Sequence, residues 1–196
     1  VGGEFDRTFD RALRIQSDYC EADPQCRERF GGDLRGRLGT LLDTLRSAPV
    51  EVDFHHPRTH APQRDTITAD TVTGLAFFFS YAPQTVSMLP LLLDEAAQGR
   101  YGPLMALSAL ASDQMQDMIN RGMQWSVVCA EDAPRHVPDP DADTLLGAET
   151  AEMLFAACQV WPAGTPRAGH TEPLASDVPA LLLSGELDPV TPPEYA

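Results

Sequence analysis

Lysine is missing from all 196 residues, so each of the 14 basic side chains is an arginine. That absence removes Schiff-base chemistry and the phosphate-gripping lysine of a Walker-type loop. The bias toward Arg, Ala and Pro has a bland reading in the base composition of the coding sequence. Positive charge is scarce altogether: 29 acidic residues leave a formal net charge of −15. Nucleic acid and anionic membrane surfaces both need basic patches, so neither is an expected partner. The same charge suits a cationic ligand, such as a free amino terminus.

Long apolar runs are also missing. None approaches the ~20 residues of a membrane span, and the best candidate, Ala76-Phe77-Phe78-Phe79, is soon broken by Ser80 and Pro83. The opening VGGEFDRTF has no apolar h-region and does not read as a signal peptide. Cysteine is sparse, at Cys20, Cys26, Cys129 and Cys158. Neither C-x2-C nor a histidine at ligand spacing accompanies them, which speaks against zinc; no metal or cofactor is expected. Cys20 and Cys26 flank a short Pro-containing turn suited to a local disulfide, which leaves Cys129 and Cys158 as a second pair. Four cysteines allow three pairings, and four buried thiols is the alternative. Disulfides would imply an oxidising compartment, secreted or periplasmic.

What is present is an ordinary globular composition, 43% hydrophobic. Phe5, Phe9, Ala12, Leu13 and Gln16 share one helical face over 4–19. Asp23-Pro24 reads as a cap followed by a proline at the first helical position. Leu34, Leu38, Leu41, Leu42 and Leu45 repeat at helical spacing up to Ala48-Pro49. Segment 50–67 alternates, carries two prolines and three histidines, and reads as a hairpin or extended arm. Helices are expected from an Asp70 cap through Phe79, from Pro83 toward Gln98, over 102–120 and over 145–158. Gln124–Cys129 reads as a short strand, 133–144 as loop and 161–179 as a Pro/Gly-rich connector. Val178–Leu183 is a continuous apolar run, as in a strand buried on both faces of a parallel sheet.

The run LLLSGELDPVTPP at 181–193 resembles the strand and turn that carry the acid of the catalytic triad in α/β-hydrolases. Further stretches narrow the resemblance: SYAP at 80–83, LPLL at 89–92, AAQGRYGPL at 96–104, SVVCAED at 126–132 and CQVWP at 158–162. Together they are similar to the lid of the proline iminopeptidase and tripeptidyl aminopeptidase group. The resemblance implies a mostly α fold. A helical cap would occupy 1–177, with a short β hairpin or arm, and 178–196 would return to the hydrolase sheet. It also implies a fragment. No G-x-S-x-G occurs, and the triad order of serine, acid, histidine places the serine before Val1 and the histidine after Ala196. The isolated segment is therefore expected to be inactive.

Asp188, directly after a buried strand, sits where open α/β folds place their sites. By the resemblance it is the triad acid, ahead of Glu186 two residues earlier; by its own chemistry, D-P is also common turn material. Thr191 is suited to cap a following helix with Pro192 at its first position. Related aminopeptidases hold the substrate's free amine with cap carboxylates, a role that falls here to Glu131, then Asp132. The bland reading of that pair is a salt bridge to Arg135 or a turn cap. Trp125, with Phe77–Phe79, Tyr81 and Met88, either lines an apolar specificity pocket or is simply cap core. His55, His56 and His60 read as surface, and His136 and His170 precede Asp188, the wrong order for the triad base.

Three functions follow. The first is a serine aminopeptidase acting on a peptide or small molecule with a free amine, completed by the rest of the hydrolase core. The second is an esterase or lipase-like enzyme on the same scaffold. The third is a non-enzymatic helical binding module.

Overall fold

The computed structural model describes residues 2–139, 143–147, 149–173 and 175–195. Two compact units divide the chain, Phe9–Met118 in one and Val1–Thr8 with Ile119–Ala196 in the other. The architecture is mostly helical, with one two-stranded antiparallel sheet among the described residues.

Phe9–Met118 is built on α1 (Phe5–Ala22, its first four residues counted with the other unit), α2 (Pro24–Phe30), α3 (Leu34–Ser47), β1 (Val50–His55) and β2 (Pro62–Ile67). It continues with α4 (Ala69–Phe79), α5 (Pro83–Val86), α6 (Leu89–Ala97) and α7 (Gly102–Met118). The expected face of α1 is the buried one, through Phe9, Ala12, Leu13 and Gln16. All five leucines of α3 are buried, each contributing about 1.5–3 kcal/mol. Asp23 caps α2, its Oδ1 accepting from the Gln25 and Cys26 amides at 2.8 Å. Cys20 is disulfide-bonded to Cys26, with Cα atoms 5.1 Å apart.

The arm forms as a hairpin, Val50 opposite Ile67 and His55 opposite Pro62, and β1 packs on α7. One histidine departs from expectation. His56 is buried rather than exposed. Its Nδ1 accepts from the Arg58 and Thr59 amides at 3.3 Å, and its Nε2 lies 3.3 Å from Asp113 Oδ2. Through its two nitrogens the ring pins the hairpin loop to α7.

Three other expectations change. Thr68, not Asp70, caps α4 in a reciprocal box with Thr71. The helix expected over 83–98 is two helices, because Ser87-Met88 turns and Pro90 restarts the chain near the start of α6. Gln124–Cys129 is helical, in α8 (Arg121–Val127) and the π-helical turn Val128–Asp132. Asn120 starts α8 by accepting from the Met123 amide at 3.0 Å. With no strand paired to it among the described residues, a helix satisfies the backbone internally.

The second unit adds α9 (Glu149–Ala156), which tightens into a 3₁₀ turn through Gln159. Residue 148 of the helix expected at 145–158, and residues 140–142 of the expected loop, lie outside the described residues. The run 178–183 forms no strand: Val178, Leu181, Leu182 and Leu183 are 76%, 84%, 64% and 86% exposed. A parallel strand needs neighbours for its amides and for both faces, and none lies beside this run among the described residues.

Candidate functional site

Five hydrogen bonds shape the turn after the apolar run. The Asp188 amide donates to the Gly185 carbonyl at 3.1 Å. Asp188 Oδ1 accepts from the amides of Val190 and Thr191, both at 2.8 Å, and Oδ2 accepts from the Thr191 hydroxyl at 2.9 Å. Ser184 Oγ closes the loop on the Thr191 carbonyl at 3.0 Å. Thr191 therefore serves Asp188 instead of capping, and the following 3₁₀ turn begins at Pro193. Partial burial pushes the Asp188 carboxyl upward, but the donors from Thr191 and Val190 outweigh it and hold the group below its ordinary value. A carboxylate has about four lone-pair sites. Three are occupied, which leaves Oδ2 one direction for another donor.

Residues near the start of the chain hold this turn. Thr8 Oγ1 donates to the Pro189 carbonyl at 2.6 Å, and the Tyr195 hydroxyl donates to Glu4 Oε2 at 2.5 Å. Burial, followed by the Glu4 hydrogen bond and charge, pushes the Tyr195 phenol up to about 12. A raised folded value favours the neutral phenol. The stability it contributes is complete below the unfolded value of about 10 and is lost as pH rises through about 12. In an alkaline titration followed by tyrosinate absorbance, one late component is expected, and Tyr195→Phe should remove it. A late component that survives Tyr195→Phe would contradict the contact.

The cap carboxylates are elsewhere in the same unit. Cys129 is disulfide-bonded to Cys158, Cα atoms 5.1 Å apart, which anchors the π-helical turn carrying Glu131 and Asp132. Glu131 is exposed, and Arg135 Nε donates to its backbone carbonyl at 2.7 Å. Asp132 is half-buried with Arg135 Nη2 3.7 Å away. The two carboxylates diverge. Asp132 lines a cavity of about 370 Å³ with Glu4, Asp6, Arg7 and His136, whereas Glu131 borders a more open depression beside His170. Trp125 is half-buried, its ring 5.4 Å from that of Trp161, and it lines neither space. Asp188 lines neither as well, so the predicted residues do not converge on one cavity. Thr8, Glu4 and Tyr195 carry no sequence signal, because each acts on a partner more than 180 residues away.

Residues 142–196, which include the whole Asp188 turn, match the family described as TAP-like protein. That match is to a family of TAP-like α/β-hydrolases. Comparison with curated proteins and with solved structures gave no match. A TAP-like match suggests hydrolase chemistry. The mostly helical fold with its short hairpin agrees with a helical cap and β arm. No helix among the described residues is long and apolar enough to cross a membrane.

Proposed function

We propose that the chain supplies the lid, over 1–177, and the acid-bearing turn, over 178–196, of a secreted or periplasmic serine hydrolase that releases N-terminal residues or short peptides. The observation that carries this reading is the Asp188 turn. It lies inside the TAP-like match and holds an ionised carboxylate with one acceptor direction left. A histidine Nδ1–H in that direction would be fixed in the tautomer whose Nε2 takes the serine proton. The carboxylate would then stabilise the imidazolium formed during attack. The 196 residues contain no G-x-S-x-G, so the activity is that of the enzyme combining this segment with its nucleophile and base, and the segment alone is inactive.

Glu131 is the residue proposed to meet the substrate's amine, because its carboxylate is exposed while Asp132 already faces Arg135. Trp125 is proposed to contribute apolar surface to substrate binding. Glu131→Gln should raise KM for free-amine peptides by up to about fivefold, the ceiling for an exposed ion pair, and leave N-blocked substrates unaffected. An unchanged ratio between the two substrate types would favour the esterase reading.

A further inference from the structure

We propose that Thr8 is a positioning residue for Asp188, acting through the single peptide group that joins Pro189 to Val190. Thr8 is 7% exposed and Pro189 is fully buried. A threonine within a helix ordinarily turns its hydroxyl back to a carbonyl one turn earlier. Here the Glu4 and Phe5 carbonyls are 3.1 and 3.5 Å from Oγ1, while the Pro189 carbonyl is at 2.6 Å. The hydroxyl has one proton, and the shortest contact, across 181 residues, takes it.

The other end of that peptide group is the Val190 amide, which donates to Asp188 Oδ1 at 2.8 Å. A peptide unit is planar and rigid, so fixing its carbonyl fixes the direction of its N–H. Donation into the carbonyl also polarises the amide, and chains of hydrogen bonds strengthen one another. Thr8 thus orients and reinforces a donor that the carboxylate relies on. Without the hydroxyl, the buried carbonyl has no donor among the described residues, and the peptide is free to rotate toward one.

The catalytic consequence rests on the triad reading of Asp188; the tether does not. Both are tested together by following the Asp188 carboxyl carbon by NMR through an acid titration of the 196-residue chain, and by assaying the complete hydrolase. Thr8→Val, which keeps the shape and loses the donor, is expected to move the Asp188 midpoint upward toward an ordinary aspartate. It should lower kcat by up to roughly 100-fold, the scale of a small misplacement, with KM little changed. Thr8→Ser should restore both. If Thr8→Val does not fold, Thr8→Ala removes the same hydroxyl. An unmoved Asp188 titration in a folded variant lacking the hydroxyl overturns the inference. Full activity of Asp188→Asn overturns the triad reading instead, and with it the catalytic role of Thr8, whatever the titration shows.

Discussion

Asp188→Asn in the complete hydrolase is expected to lower kcat roughly 10,000-fold with KM nearly unchanged, the scale of losing a triad acid while its geometry survives. Asparagine is the informative replacement because it separates the two readings of this residue. Its carbonyl oxygen can still accept from the Val190 and Thr191 amides, and the Thr191 hydroxyl can turn to accept instead of donate. The turn therefore survives. What changes is the group facing the histidine: an amide donor replaces the acceptor and selects the wrong tautomer. If Asp188 were only a turn residue, asparagine, an equally good turn former, would leave kcat near the parental value. The acid limb of stability gives a second readout. Asp188 is held below its ordinary value when folded, so its contribution is complete above the unfolded value of about 4 and is lost as pH falls through the lowered one. Asp188→Asn removes that component.

Loss of the Cys129–Cys158 bridge has the largest expected effect on stability. The bridge spans 29 positions, and the chain-entropy relation gives roughly 3–4 kcal/mol for a loop of that length. The Cys20–Cys26 bridge spans 6 positions, for which the same relation gives about 2 kcal/mol. Urea denaturation of Cys129→Ala/Cys158→Ala should therefore show the larger fall in midpoint, and Cys20→Ala/Cys26→Ala the smaller. The functional consequence follows from position. Glu131 and Asp132 lie two and three residues beyond Cys129 in a short π-helical turn, and without the bridge little covalent structure holds that turn in place. An unchanged midpoint in the 129/158 double variant would mean the bridge contributes nothing to the folded state.

Several local signals in the sequence agree with the structure. The leucine spacing of α3, the Asp23-Pro24 start of α2 and the hairpin at 50–67 each depend on neighbours within a few residues. The misread elements are those in which a competing cap or a missing partner decides. Thr68 outcompetes Asp70 because its hydroxyl and that of Thr71 satisfy each other's amides. The β-branched run before Cys129 becomes helical because Asn120 starts a helix just ahead of it. The apolar run at 178–183 has strand composition, but a strand is a property of a sheet and not of its own residues. At the candidate site, LDPVTPP is the local signal that singles out Asp188. The Thr8 and Tyr195 contacts that hold its turn have no such signal, since nothing in a single sequence marks two residues that meet across nearly its whole length. The histidines of the arm show a third kind of difference. His56 is buried because its ring bonds both the loop amides and Asp113, a satisfaction that depends on where α7 passes.

The central claim is that Asp188 is the acid of a hydrolase triad, and the most direct test is to read the coding frame on both sides of this segment. A G-x-S-x-G motif upstream and a histidine shortly beyond residue 196 are the predicted result. A frame that closes directly after Ala196, with no serine motif upstream, would contradict the account and leave Asp188 as the carboxylate of a turn.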